Sequence, residues 1–471
     1  VSVAVGELAR LRVRLGESVG EAEAPQGCYC DFDCVASVGS GQPIESGPSG
    51  FRFLRLDLLD VSNTVELALP EALAIERDLP LLGAFESSDD RLNRIWEAGA
   101  RTVHLCMQDL IWDGIKRGRT VWAGDLHPAL AVIAAAFGPQ PVVAASLDWL
   151  QQDTSRRPGR LEWMNDIPAY SLWWVISLAE WYLSTGDRAD LEARHSYLAD
   201  LLAMVDAEID AEGREDFAGW RYLDWSTTRD FDAIHVGYQG LTAWALRSAG
   251  GIARSLGDPS LERLSAQILA RVESYRPPLT SNKQARALLV LGGLAEPLAT
   301  NREVLAIEPM HGLTPFLGYH VLEARTLADD HAGALALIRN FWGGMLDLGA
   351  TTFWEDYRDS WASGAGRIDQ PAAEGFRDVH GTSSRGYGLS LCHAWSAGPT
   401  AWLSRHVLGV QPIEPGCRVV RIRPYLGDLD HVEGRFPTPQ GILEVRHRKR
   451  TDGSIASDVV APEGVRVQFE G

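Results

Sequence analysis

The hydrophobic pattern of the chain changes period twice. Over roughly the first 82 residues apolar and polar positions alternate, in Leu11-Arg12-Val13-Arg14-Leu15, in Phe51-Arg52-Phe53-Leu54-Arg55-Leu56-Asp57-Leu58 and in Val65-Glu66-Leu67-Ala68-Leu69. Alternation buries one face of a strand and wets the other, which predicts antiparallel β structure; the glycine- and serine-rich run from Gly39 to Gly50 reads as a connection. At Ser87-Ser88-Asp89-Asp90 the period becomes helical. Leu92, Ile95, Trp96, Val103, Cys106, Met107 and Leu110 recur on one face behind a Ser/Asp N-cap. Gly99 takes one slot on that face, which weakens the helix slightly and permits a close helix contact. Helical patterns are predicted over 89–110, 125–137, 141–154, 168–185, 187–211, 235–256, 258–275, 281–293, 296–304, 313–327, 329–347 and 386–408. After Gly409 the alternation returns, in Val419-Val420-Arg421-Ile422-Arg423-Pro424 and Leu443-Glu444-Val445-Arg446-His447-Arg448, then in Ser454 to Val460 and Val465 to Phe469.

About twelve helices without intervening strands pair into six hairpins. Closed in a ring, these make an (α/α)6 barrel, in which inner helices meet around an axis and outer helices cover them. The predicted fold is therefore mostly α: a barrel over 84–408, an N-terminal β-sandwich over 1–83 and a small C-terminal β-sandwich over 409–471. The longer loops, 111–124, 155–167, 212–234 and 348–385, fall at one alternate set of helix ends. On a ring that gathers them on a single rim, where they would build a cleft. The chain shows no convincing sequence repeat.

Composition narrows the functions available. With 471 residues, 45% of them hydrophobic, the chain is long enough for two or three domains. A net charge of −19 repels phosphate backbones, which excludes nucleic acid as a partner. No apolar run approaches the ~20 residues of a membrane helix, so no membrane partner is expected. The opening Val-Ser-Val-Ala-Val-Gly has no basic region followed by an apolar core, so no signal peptide is expected and a cytoplasmic location is; the missing Met leaves truncation open. Cys28, Cys30 and Cys34 cluster without paired C-x-x-C spacing or a nearby His, while Cys106, Cys392 and Cys417 lie apart. That pattern reads as free thiols in a reducing compartment. Sixteen tryptophans, many near glycine and aspartate, lean towards carbohydrate.

The densest chemistry lies in Trp112-Asp113-Gly114-Ile115-Lys116-Arg117-Gly118-Arg119-Thr120-Val121-Trp122-Ala123-Gly124-Asp125. Its glycines make most of it loop, set between two helical patterns. Tryptophan offers a flat apolar face to a pyranose, and the ionic groups bond its hydroxyls. Read alone, the loop is equally an ion-paired, well-anchored connection. A second loop, Gly349-Ala350-Thr351-Thr352-Phe353-Trp354-Glu355-Asp356-Tyr357, presents Glu355 between aromatic residues on a short extended segment, where a carboxylate can act as a general base. Glu162-Trp163-Met164-Asn165-Asp166-Ile167-Pro168 and Trp220-Arg221-Tyr222-Leu223-Asp224-Trp225 line a cleft or cap helices through Asp166 and Asp224. His393, in Cys392-His393-Ala394-Trp395-Ser396, faces the axis or sits as a satisfied core histidine. There is no G-x-G-x-x-G after a strand, no P-loop, no H-E-x-x-H and no G-x-S-x-G, and His235 and His380 lack a second ligand at metal spacing. No cofactor, nucleotide or essential metal is expected.

On these residues the chain resembles the α-L-rhamnosidases of glycoside hydrolase family 78, from about Gly50 to the C-terminus. The order of a β-sandwich, an (α/α)6 barrel and a second β-sandwich is the same. The signature loop of that family is matched by Asp113, Arg117, Gly118, Trp122 and Gly124-Asp125, and its Thr-Thr-x-Trp-Glu segment by Thr351-Thr352-Phe353-Trp354-Glu355. The resemblance implies an inverting, exo-acting hydrolase of L-rhamnosyl or related 6-deoxy sugar glycosides. In such enzymes one carboxylic acid protonates the glycosidic oxygen, and a second carboxylate, roughly 6.5–9.5 Å away, activates water on the opposite face. Glu355 would be that base. Asp113, Arg117, Trp122 and Asp125 would hold the sugar, with Trp225 and His393 as further lining.

The chain departs from the family at one sensitive position. Gly118 stands where the resemblance places the general acid, and glycine has no proton to donate. Three readings stay open: an acid-deleted variant, an enzyme using another acid such as Asp113, Asp125 or a group of the substrate, or a non-catalytic carbohydrate-binding protein on a glycosidase barrel. A lyase using Tyr238 or His235 as base is a further alternative.

Overall fold

A computed structural model describes residues 3–4, 9–24, 34–38, 45, 47–59, 66–67, 69–154 and 161–470. About half of it is helical, with several small β-sheets. The helices with apolar residues on every face are the ones buried along their length, Ala123–Ala136 and Pro168–Thr185 above all. Six such segments pack in succession: Ala123–Ala136, Pro168–Thr185, Phe231–Leu256, Lys283–Leu291, Pro315–Leu327 and 394–407, and the last returns to pack on the first. The amphipathic helices lie outside them. Asp90–Cys106 turns Leu92, Ile95, Trp96, Val103 and Cys106 inward, and Pro259–Ser274 buries only Leu261, Ser265, Ile268 and Val272. Pro141–Thr154, 188–207, 297–305 and 331–347 complete this outer set.

Local chemistry places the helix ends. The side chains of Asp89, Asp230, Asp258 and Asn282 accept backbone N–H groups of the first turns they precede, and Gly186 and Gly257 end their helices in the left-handed region. The longest loops each lead into the N-terminus of an inner helix. They meet one another there: Gly114 pairs with His393, Asn165 caps Ala123, and the Trp220 N–H donates to Asp166 O.

The helical expectations hold with local corrections. The helix expected over 89–110 stops at Cys106, that over 187–211 breaks at Arg194, and that over 386–408 begins only at 394. The β expectations change more. Among the described residues the N-terminal region holds a three-stranded antiparallel sheet, with Ala9–Gly16 between Cys34–Val38 and Phe53–Leu58, and a separate two-stranded one. Phe53–Leu58 is an edge strand, and Leu54 and Leu58 on it are exposed despite the alternating pattern. Within the run from Val65 to Leu69, Glu66–Leu67 is a strand paired with Val3–Ala4; Val65 and Ala68, like Cys28 and Cys30, lie outside the described residues. Cys106, Cys392 and Cys417 are buried free thiols. Ala84–Ser87, expected at the start of the helical region, adds to a C-terminal sheet ordered 455–460, 441–449, 431–438, 84–87. A second C-terminal sheet holds Val410–Pro412, Val419–Ile422 and Arg466–Phe469. No helix among the described residues is long and apolar enough to cross a membrane.

The small residue at position 99 is required by packing. A Cβ there would lie 2.1 Å from Thr400 Oγ1 and 3.1 Å from Ala397 O. Gly99→Val is expected to lower stability by about 1–3 kcal/mol through overpacking, read as a fall in melting temperature; an unchanged transition would show that the two helices part easily.

Candidate active site

The loop from Met107 to Trp122 is folded back on itself at Asp113. The Asp113 N–H donates to Thr120 O (3.0 Å) and the Ala394 N–H donates to Asp113 O (3.0 Å), so the loop is fastened to the segment carrying His393. Gly118 and Arg119, at its exposed tip, have φ of 73° and 54°. The loop then enters helix Ala123–Ala136 at Trp122, and Asp125 lies in the first turn, where the helix dipole favours negative charge. Asn165 braces this junction, accepting the Ala123 N–H (3.1 Å) and donating to Val121 O (3.1 Å). Asp125 is buried. Tyr170 OH donates to its Oδ1 (3.4 Å), and His393 Nδ1 lies 3.7 Å from its Oδ2. Gly124 makes the approach of Tyr170 possible, because a Cβ there would fall 2.5 Å from the ring.

Glu355 arrives from the other loop. Its backbone N–H donates to Ser390 O (2.9 Å) and its carbonyl accepts from Trp395 Nε1 (3.0 Å), while His393 N–H donates to Phe353 O (2.9 Å). Glu355 Oε2 accepts the Ser390 N–H (3.1 Å), and Oε1 is ion-paired with Arg385. The Arg385 guanidinium lies 4.5 Å over the ring of Trp225, a cation–π contact that fixes it above the carboxylate.

Burial dominates the electrostatics. It pushes Asp113 up to about 6, against the N–H groups of Gly114 and Thr120 and the Trp122 indole. It raises Glu355 to about 7, where Arg385 and the Ser390 N–H pull the other way and the charge of Asp113 adds to the rise. Asp125 is driven well above the carboxylate range, first by burial and then by the charges of Asp113 and Glu355. His393 is held well below its usual value by burial and by Arg385, and is neutral. Three carboxyl groups that interact electrostatically, with protons retained towards neutrality, are what acid–base chemistry needs.

The residues expected from sequence divide into those gathered here and those engaged elsewhere. Asp113, Trp122, Asp125, Glu355 and His393 come together, and Trp225 joins through Arg385. Arg117 does not present a free guanidinium to them: it ion-pairs with Glu17 (2.9 Å) and Glu21 and donates to Leu389 O (2.8 Å). Lys116 beside it bonds Glu21 (2.6 Å) and Leu15 O (2.8 Å). Asp166 does not cap the helix after it, and Asp224 accepts from Thr314 Oγ1 (2.5 Å) and the Ser226 N–H (3.0 Å). His235 is bonded to Glu215 (2.5 Å) and Tyr275 (3.0 Å), and Tyr238 OH donates to Tyr222 O (3.0 Å). Sequence reasoning passed over Arg385, Ser390 and Tyr170. A signal for Arg385 existed, a cation just before Gly386 and Gly388 at the end of the longest loop, 348–385, but the expected helix from 386 drew attention past it. Among the described residues one grouping, Glu17, Glu21 and His380, has the spacing for a metal ion, and Lys116 and Arg117 already supply its positive charge.

Comparison with known proteins follows the same outline. The six-hairpin glycosidase domain of bacterial α-L-rhamnosidases matches residues 80–249, and the C-terminal domain of bacterial α-L-rhamnosidases matches 409–469. The fold is similar to the family 78 rhamnosidase of Bacillus sp. GL1 (TM-score 0.78, 21% identity, covering 100% of this chain and 51% of that one). It is similar to the Klebsiella oxytoca rhamnosidase with rhamnose bound (0.69, 22%, 85% and 83%) and to the Streptomyces avermitilis α-L-rhamnosidase complexed with L-rhamnose (0.76, 16%, 99% and 47%). The chain thus spans about half the length of the Bacillus and Streptomyces proteins. No curated protein matches it by sequence.

The Arg385–Glu355 pair makes a direct prediction. Arg385→Ala removes the cation that opposes burial, so the Glu355 carboxyl is expected to titrate above its value of about 7. Carboxyl-carbon NMR of the glutamate-labelled protein would show it; an unmoved or lowered titration would mean that Arg385 does not set this charge.

Proposed function

The chain belongs to the six-hairpin glycosidase family of the bacterial α-L-rhamnosidases, and from that premise we propose that it is an exo-acting hydrolase of α-L-rhamnosides or closely related 6-deoxy sugar glycosides, working with inversion. The unbroken succession of inner-helix contacts supports reading 84–408 as an (α/α)6 barrel, with 1–83 and 409–471 as flanking β units.

The observation that carries the proposal is the pairing of Glu355 with Arg385 and the Ser390 N–H, within electrostatic reach of Asp113 and Asp125. Inversion needs a carboxylate that is charged when water attacks and can then hold a proton. Arg385 and Ser390 favour the charged form, and burial makes the proton welcome afterwards. Glu355 is the base in this reading. It draws a proton from a water that attacks the anomeric carbon from the face opposite the departing oxygen. Asp113 and Asp125 are placed to meet the sugar as hydrogen-bonding carboxyl groups. Trp122 and Trp225 supply flat apolar faces, and neutral His393, whose Nδ1 has no hydrogen-bond partner of its own, is placed to bond a hydroxyl. Arg117 acts behind the site, tying the Asp113 loop to Glu17 and Glu21. Sugar binding alone would not require a carboxyl poised near neutrality, which favours catalysis over a binding protein.

Glu355→Gln is expected to slow hydrolysis of an aryl α-L-rhamnoside by at least ~10²–10⁴-fold, and NMR of the first product should show the β-anomer. Asp113 and Glu355 titrate near 6 and 7, so the rate should follow a bell in pH. Below about 6 both carboxyls hold protons and no base is left; above about 7 neither holds one to give, so the active form carries a single proton on the pair. A variant at full rate, or retained α configuration, would sink the assignment of Glu355.

A further inference from the structure

We infer that Asp113 is the proton donor of this site, its carboxyl occupying the volume in which a side chain at position 118 would begin. The inference rests on the hydrolase reading above. An ideal Cβ on Gly118 would lie 2.1 Å from Asp113 Oδ2 and 2.7 Å from both its Cγ and Oδ1. No side chain fits there while Asp113 keeps its place. With φ at 73°, the backbone at 118 also lies where glycine alone is unstrained. The empty position and the carboxyl above it are two halves of one arrangement.

Orientation favours Asp113 over Asp125. The Thr120 N–H holds Asp113 Oδ1 (3.2 Å), which leaves Oδ2 beside the exposed Gly118. Asp125 is buried in the first turn of its helix and already touched by Tyr170 and His393. An exo-acting enzyme takes the terminal sugar inward and leaves the departing group towards solvent, so the donor belongs at the mouth. Burial also keeps the Asp113 carboxyl protonated further towards neutrality than an ordinary aspartate.

In the step, the Asp113 carboxyl proton passes to the glycosidic oxygen as the bond from that oxygen to the anomeric carbon breaks, the electron pair staying on oxygen. The water oxygen bonds the carbon from the opposite face and its proton goes to Glu355. Asp113 ends as carboxylate and Glu355 as acid, and exchange with solvent restores both.

The test compares kcat/KM for a 2,4-dinitrophenyl α-L-rhamnoside, whose leaving group needs no proton, with that for a rhamnosyl disaccharide, whose leaving group does. Wild type, Asp113→Asn and Gly118→Ala are assayed on both. Asp113→Asn is expected to lose ~10²–10⁴-fold on the disaccharide and under ~10-fold on the dinitrophenyl substrate. Gly118→Ala should show the same selective loss, because its Cβ displaces the carboxyl; retained dinitrophenyl hydrolysis shows that each variant is folded. An equal loss by Asp113→Asn on both substrates would overturn the inference, leaving Asp113 as a sugar-holding group. So would disaccharide cleavage at the wild-type rate by either variant. A wild type inert on both substrates would instead overturn the hydrolase reading itself.

Discussion

Asp113, Asp125 and Glu355 are held where each feels the charge of the others and little water screens them. In an isolated aspartate or glutamate the proton would be gone by neutral pH. Here mutual repulsion and lost hydration keep it, and the surrounding structure decides where it resides. Arg385 and the Ser390 N–H draw negative charge to Glu355. The Tyr170 hydroxyl and the start of helix Ala123–Ala136 make a buried Asp125 tolerable. Thr120 steadies Asp113. Without these supports three acids could not share so small a space.

The supports come from distant parts of the chain. Lys116 and Arg117 adjoin the Asp113 loop, yet they face Glu17 and Glu21 of the N-terminal region, and Glu17 also accepts the Leu391 N–H. One buried ion cluster thus fastens the N-terminal segment to the loops bearing Asp113 and His393. Breaking one partner of such a cluster leaves its opposite charge stranded, which typically costs about 3–5 kcal/mol. The geometry of the acids therefore depends on an ion cluster that joins two separate regions of the chain.

The helical layout was largely legible in the sequence because long amphipathic and apolar runs carry their own period. Asp89 marks its helix start, and Gly99 sits where two helices touch, whereas the helix expected from 235 begins at Phe231 behind an unread cap, Asp230. The β regions were less legible. Alternation shows that a strand has two faces, but not which sheet it joins, and Ala84–Ser87 pairs with a partner near the far end of the chain. At the site, Asp113, Asp125, Glu355 and His393 could be gathered by motif. The burial of Arg117 could not, since a guanidinium reads the same whether it faces a sugar or Glu17. Arg385 was hidden because a cation followed by two glycines suits a turn as well as a site. The crowding between Gly118 and Asp113 is a fact of three dimensions, although five residues separate them.

The strand Ala84–Ser87 has a bearing on how the molecule assembles. Its neighbour, His431–Thr438, is made only after every helix has been synthesised. On the ribosome the outer helix Asp90–Cys106 must wait, first for the segment at 394–407 against which it packs, then for that strand to secure its entry. Contacts so far apart in sequence form slowly, and until they form, a broad apolar helix surface stays open to other chains. Synthesis of that strand, more than the folding of any single hairpin, is the moment that decides whether the molecule closes on itself or aggregates.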